Sequence, residues 1–437
     1  MKKKLMLVAL SSLVILAAGC GTKAGQDKST SEPVKTEKPS DKKIEMVWAG
    51  WTGEEKAFKP VIDSIIEDWN KKEPNATVKW LGWPWDQTQQ QLILRGMSKD
   101  QIDVAQVDIR WVNSLAEAGL LEDLGTLFDK NWISNNFDAN FLKIGQVEGK
   151  QVGLPWTLGA LGMLYNPTLL EKAGVKDVPT TVTDFEDALK KVKAFDKNIV
   201  PYAISTKVAS SVSTNFQAWL WQNGGNVFDK DGKVIINNET GVKTLTWFKS
   251  LYDNGLIKMD LAQTDARVLH SKGQSAFYDD LVLAKGVMKS NGIADQDLDK
   301  IIRPMARPLI KAGDQPQSKI GGTVLVVFKD SKYKQKAADY IKHVVGEPEA
   351  LKFFKESGNL PTFNSAIKNE LIQKDAYTKK FLELTTFSKR AETEPFASAK
   401  ELDNIITEEF QAGVMGAKTP QKALDDAATK IKSTLKK

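Results

Sequence analysis

Ile102-Asp103-Val104-Ala105-Gln106-Val107-Asp108-Ile109-Arg110-Trp111, continued by Val112-Asn113-Ser114-Leu115-Ala116-Glu117-Ala118-Gly119, is the stretch that decides the fold. Residues 102–108 read as a strand. The residues through Trp111, Leu115 and Ala116 read as a helix that stops at Gly119. The chain upstream shows the same alternation. Residues 44–48 (Ile-Glu-Met-Val-Trp) alternate as a strand, and Ala49-Gly50-Trp51 turns. Thr52 with Glu55 three residues on makes a capping box, and Phe58, Ile62, Ile65, Ile66 and Trp69 share one helix face behind it. Pro74 ends that region and residues 76–80 form a second strand. Trp83-Pro84-Trp85-Asp86 is a loop ahead of a polar helix with Leu92, Ile93 and Met97. Strands alternating with helices argue βαβ units, a mainly parallel sheet and an α/β fold.

Downstream the pattern changes. Residues 151–156 read as a short strand broken by Pro155, and residues 160–165 as a further strand. Thr183 and Glu186 form a second capping box, opening a helix with Phe185, Ala188, Leu189 and Val192. Residues 216–221 read as helix ended by Asn223-Gly224-Gly225, residues 229–233 carry hairpin chemistry, and a helix over 239–254 stops at Gly255. Short strands follow at 275–279 and 301–304. Gly321-Gly322 then opens a strong strand, and from Tyr333 onward the chain is nearly all helix.

The first twenty residues carry an address. Lys2, Lys3 and Lys4 precede an apolar run over 5–16, then Ala17-Ala18-Gly19-Cys20. A basic start, a short apolar core and small residues before a cut mark a secretory signal, and the run is shorter than the roughly 20 apolar residues a membrane span needs. Leu16-Ala17-Ala18-Gly19-Cys20 resembles a bacterial lipobox, in which the cysteine is acylated and becomes the new N-terminus. Cys20 is the single cysteine of the chain, which excludes a disulfide and a thiolate metal site. Residues 21–43 are Lys, Ser, Thr, Glu and Pro with almost nothing large and apolar, the composition of a solvated tether. The expected organisation is a signal peptide at 1–19, a lipidated cysteine and tether at 20–43, and a globular body beyond.

Bulk composition narrows the function. The chain has 437 residues with 41% hydrophobic, enough for two or three domains with real cores. Its formal charge is +6, but Lys2 to Lys4 and the Lys-rich tether carry most of it. The nearly neutral body has no nucleic-acid footprint. With two His and one Cys, neither a His-rich metal site nor a Cys–His pair is available, and no metal or cofactor is expected. The chain has 12 Trp, none beyond Trp247, so ring surface is concentrated in its first part.

Several ordered pieces resemble the bacterial extracellular solute-binding proteins of ABC importers, in the branch that includes the maltose-binding protein. Residues 103–111 with Leu115-Ala116-Glu117-Ala118-Gly119-Leu120-Leu121 are similar to that family's first-lobe motif. Gly162-Met163-Leu164-Tyr165-Asn166 followed by Leu169-Leu170-Glu171-Lys172-Ala173-Gly174 is similar to another of its signatures. Asn223-Gly224-Gly225, residues 273–280 and Gly321-Gly322 come in the family's order. The resemblance covers nearly the whole chain. It implies a two-lobe periplasmic-binding-protein fold of type II character, with the ligand cleft between discontinuous lobes: 44–150 plus 300–350, and 153–298 plus 353–437. It further implies a monomer that captures a sugar by lobe closure and delivers it to the membrane subunits of an importer, while lipid holds it to the outer face of the cytoplasmic membrane.

Ligands of doubly wound sheets sit outside the carboxyl ends of the strands. That rule selects Trp51 and Thr52, then Trp83 and Trp85, then Asp108 with Arg110 and Trp111, then Tyr278, Asp279 and Asp280. Gly321 and Gly322 allow close backbone approach. Trp156, in a loop, and Trp219, near a second-lobe helix, are further ring candidates, whereas Trp48, Trp69 and Trp247 read as core. The set suits a sugar: an indole offers a flat face to C–H groups and an N–H to the hydroxyl rim, and a carboxylate such as Asp108 accepts charge-assisted bonds from hydroxyls. Two other classes stay open. A secreted carbohydrate-active enzyme would use paired carboxylates, and a binding protein for another solute would keep the fold with a different cleft. The sequence holds no G-x-S-x-G elbow, H-E-x-x-H or P-loop.

Overall fold

The computed structural model describes residues 43–311, 313–385 and 388–436. The basic leader, Cys20 and the tether up to Lys42 lie outside the described residues. The strands are β1 (Ile44–Gly50), β2 (Ala76–Gly82), β3 (Val104–Asp108), β4 (Gln146–Val147), β5 (Lys150–Gln151), β6 (Leu154–Tyr165), β7 (Val200–Ala203), β8 (Ser275–Asp280), β9 (Arg303–Met305), β10 (Ser318–Val327) and β11 (Ser388–Lys389). The main sheet runs β2-β1-β3-β10-β6-β8-β7, with β11 on β10 and β9 on β6.

Parallel pairing holds at both ends of this order and fails in the middle. β1 pairs in parallel with β2 and β3, and β7 with β8. β10 is antiparallel to both β3 and β6, and β6 is antiparallel to β8 and β9. The two central strands are shared between halves of the molecule. β6 pairs with β10 through Leu161, then from Gly162 to Tyr165 with β8. The sheet is therefore mixed, because β6 and β10 run between two α/β halves.

Three local expectations are corrected. β6 is one strand of 12 residues that includes Pro155. The β6–β10 register shifts between Thr323 and Val324, where Pro155 pairs with Val324, and a bulge is where a strand tolerates a residue with no N–H. Thr52 does not open the helix. It begins a three-residue turn, and the helix starts at Lys59 with Pro60 in its first turn. The second capping box sits two residues earlier than the sequence suggests: Thr181 Oγ1 accepts from Asp184 N–H at 3.1 Å. Glu186 instead accepts from the Trp247 indole at 2.7 Å.

Apolar packing forms one core behind the first strands and another around the 182–253 helices. Trp48 is fully buried, edge-on to Tyr340 at 5.5 Å and to Trp156 at 5.5 Å. The second core joins Phe185, Phe216 and Phe248 to Leu402, Ile406, Phe410, Leu424 and Ile431 of the two last helices, Ala399–Val414 and Pro420–Thr434. Trp48, Trp69 and Trp247 thus pack as the sequence suggests, Trp69 being 3% exposed.

Candidate functional site

β1 and β3 run side by side in parallel, so the residues after Gly50 and Asp108 emerge at the same edge of the sheet. The turn after β1 is held by a side chain of β3. Gln106 Oε1 accepts from the N–H groups of Trp51 (3.3 Å) and Thr52 (3.2 Å), and Gln106 Nε2 donates to Thr52 Oγ1 at 2.7 Å. All three residues are buried, so these bonds form away from water, where leaving a group unpaired is costly. Gly50 is required here, since a Cβ would come 2.8 Å from Gln106 Oε1.

Three indoles meet beyond that turn. The Trp51 ring stands edge-on to Trp111, centroids 5.3 Å apart at 68°. Trp85 lies against Trp111 at 5.6 Å and 35°. Trp85 is the first residue of the helix Trp85–Met97, entered through Pro84, which places the ring at a helix start beside the end of β3. The Arg110 guanidinium sits 4.8 Å from the Trp85 ring centroid, a cation–π distance. Trp83 stands apart from this group, half-buried under Arg95 at 5.3 Å.

Asp108 is held by its neighbours. Its Oδ1 accepts from Arg110 N–H (3.0 Å) and Arg110 Nε (2.8 Å), and its Oδ2 from Arg110 Nη2 (2.7 Å) and Trp85 Nε1 (3.3 Å). Burial pushes this carboxyl up, and the charge and hydrogen bonds of Arg110 outweigh it, so the group stays below the usual carboxylate range. Both of its oxygens are thus engaged in orienting Arg110 and Trp85.

Trp85, Arg110 and Trp111 face a cavity of about 110 Å³. Asp86 and Gln89, on the same helix as Trp85, complete this wall. The opposite wall is Val208, Ala209 and Ser210, with Ala399, Lys400, Asp403 and Asn404. These are the starts of two helices of the second core, Ala209–Gln222 and Ala399–Val414, and neither start carries a side-chain cap. Ala399 and Asp403, and Lys400 and Asn404, are four residues apart and Lys400 and Asp403 three, the spacings that make neighbours on a helix surface. One wall is aromatic and rigid; the other is small and polar.

The strand-end rule brings Trp51, Thr52, Trp85, Asp108, Arg110 and Trp111 together. It does not bring the rest. Trp156 is 2% exposed and stacks on Phe353 at 4.7 Å. Trp219 is 1% exposed, with its N–H on Tyr202 Oη at 3.0 Å. Tyr278 is fully buried, its ring 4.4 Å from His270. Asp279 is bound by Arg307 Nη2 at 2.6 Å and by the Tyr202 hydroxyl, and Asp280 by Arg267 through two bonds. Gly321 and Gly322 do permit a close approach, but between chain segments: a Cβ on Gly322 would come 2.4 Å from the Thr157 carbonyl. The second wall was not foreseen. Its one signal is Pro395, ahead of Ser398, inside the stretch read as nearly all helix.

This two-sided cleft over crossing strands has relatives. The chain belongs to the bacterial extracellular solute-binding proteins, whose family model matches residues 52–350. Among curated proteins it is 28% identical over 456 residues to the arabinooligosaccharide-binding protein of Bacillus subtilis, covering 98% of each chain. It is 23% identical over 459 residues to that organism's maltodextrin-binding protein, covering 100% of this chain and 98% of the relative. Among solved structures, maltose-bound MalE3 of Thermotoga maritima superposes with a TM-score of 0.79 at 21% identity, over 90% of this chain and 100% of the other. The GacH receptor of Streptomyces glaucescens superposes at 0.80 and 19% identity, over 90% and 99%. The two-lobe α/β fold is thereby shown. Among the described residues no helix is long and apolar enough to cross a membrane.

Proposed function

We propose that this protein captures an oligosaccharide between its two walls and delivers it to the membrane subunits of an ABC importer. The observation that carries the reading is the pair of indoles, Trp85 and Trp111, lining the 110 Å³ cavity together with polar helix starts, with Trp51 edge-on to Trp111. Ring faces take the apolar side of a pyranose or furanose, while Arg110, Asp403, Asn404 and Gln89 are placed for its hydroxyls. The arabinooligosaccharide- and maltodextrin-binding relatives support a sugar over another solute.

The lobes we propose are 44–150 with 300–350, and 153–298 with the C-terminal helices, hinged at β6 and β10. Ligand favours the closed arrangement because only there do both walls touch it. Binding proceeds without turnover, so the sugar is recovered intact after incubation; loss of the sugar supports the enzyme reading instead. The leader supports export, with acylation at Cys20 tethering a monomeric body to the outer face of the membrane. Mass spectrometry of the membrane-extracted protein tests the acylation.

The deciding experiment is thermal unfolding of the body from Lys43 against mono- and oligosaccharides. Ligand at about 100 times its dissociation constant adds about 2.7 kcal/mol of stability, a clear rise in midpoint. A shift with one oligosaccharide series is expected. A shift only with peptides, polyamines or anions overturns the sugar.

A further inference from the structure

Of the four charged groups that line the cleft, Asp86, Arg110, Lys400 and Asp403, Arg110 and Asp403 are a pair of opposite sign from different helices and loops. Arg110 spends Nε and Nη2 on Asp108 and lines the cavity, and its Nη1 is not part of that pair. Asp403 stands on the other wall. Its Oδ1 accepts from Ser213 Oγ at 2.7 Å and Thr393 Oγ1 at 2.9 Å, and among the described residues its Oδ2 has no hydrogen-bond partner. The two groups feel each other electrostatically, yet no ion pair within 4.0 Å joins them. Ser213 and Thr393 fix the carboxyl from the Ala209–Gln222 helix and from the segment before the Ala399–Val414 helix, so its orientation does not depend on a ligand.

We propose that Asp403, not Asp108, is the carboxylate that reads the ligand's hydroxyls, taking a hydroxyl on Oδ2 across the cleft from Arg110. This rests on the sugar reading above and adds the residue that discriminates. A hydroxyl between the two groups accepts from Arg110 and donates to Asp403, so one ligand group ties both lobes together. A deoxy or O-methyl sugar at that position leaves Asp403 without its donor, the arrangement by which a polar site rejects a near-isostere.

Burial pushes the Asp403 carboxyl above the usual carboxylate range, against the hydrogen bonds of Ser213 and Thr393 and the positive charges of Arg110 and Lys319. The other charged groups around it are Glu394 on the segment before its helix, Lys400 on its own helix and Asp86 across the cleft. The acceptor is the ionised form. Affinity therefore falls as pH drops through this raised value, at a higher pH than an ordinary carboxylate would give.

The test is titration calorimetry of wild type and Asp403→Asn with the oligosaccharide that stabilises the wild type, from pH 5 to 8, beside thermal unfolding of both without sugar. Asparagine keeps the oxygen that Ser213 and Thr393 donate to. The expected result is binding about tenfold weaker or worse, about 1.4 kcal/mol, with the pH dependence flattened and the unliganded midpoint not lowered. A variant that binds as tightly as wild type, with the same pH profile, overturns the assignment of Asp403 alone. Weak binding with a lowered unliganded midpoint and an unchanged pH profile also overturns it, as a structural role. A wild type that binds no sugar overturns the sugar reading and this inference with it.

Discussion

Asp108–Arg110 and Asp279–Arg307 are the same chemical pair at the carboxyl end of a strand, and they do different things. Asp108 ends β3 and grips an arginine two residues on, which lines the cleft. Asp279, one residue from the end of β8, grips an arginine from a distant segment. Both members are buried, with Tyr202 closing on the carboxylate and the Trp219 ring 4.8 Å from the guanidinium. On the proposed reading, a strand end serves a ligand only where it opens between the two halves. β3 ends beside the Trp85 and Trp111 rings at the opening. β8 lies between β6 and β7, and Asp279 near its end is bound by Arg307 from the segment between β9 and β10.

The contrast predicts where each substitution is felt. Arg307→Met leaves Asp279 as an uncompensated buried charge and should cost about 3–5 kcal/mol of stability. Denaturant unfolding should show it, while sugar affinity of the protein that stays folded is unchanged. Lost affinity at intact stability would mean that this pair, too, serves the cleft. Trp111→Ala should do the reverse, weakening sugar binding by about 1–3 kcal/mol, the range for a large side chain leaving a buried contact. Unchanged calorimetric affinity would remove the indole group from the site. Gln106→Leu strands the N–H groups of Trp51 and Thr52 and should cost about 1–3 kcal/mol. Near-UV circular dichroism should change with it, because the Trp51–Trp111 edge contact depends on that turn; an unaltered spectrum would show that the rings hold themselves.

The smallest effect is in pH. The Asp108 carboxyl is lower in the folded protein than in the unfolded chain. Its contribution is full above the ordinary aspartate value of about 4 and is lost as pH falls below it toward the depressed one. The stability gap between wild type and Asp108→Asn should therefore narrow as pH falls below about 4 in urea unfolding. A gap independent of pH would mean that the Arg110 bonds do not favour the ionised form.

Much of the architecture was legible beforehand. Alternating strands and amphipathic helices between residues 44 and 119 announce the α/β unit, since period-2 and period-3.6 patterns survive without knowledge of neighbours. The grouping of Trp51, Trp85 and Trp111 was legible because each stands just past a strand or at a helix start, where a ring lacks a local packing reason. Trp156 was read in the same way and is core. Pro155 hid the continuity of β6, so the strand that buries Trp156 read as a loop.

The α/β class and the aromatic wall follow from local pattern, because the groups involved lie within a few residues of one another. What the tertiary structure decided is which polar groups remain available. Asp108, Asp279 and Asp280 read alike in sequence. Whether a carboxylate meets a ligand depends on whether an arginine reaches it first, and Arg307 lies 28 residues from Asp279 along the chain. Asp403 lies nearly three hundred residues beyond Arg110, and the two share a cleft only because β6 and β10 carry the chain between the halves. Burial and hydrogen-bond competition are properties of the packed molecule, and linear spacing does not encode them.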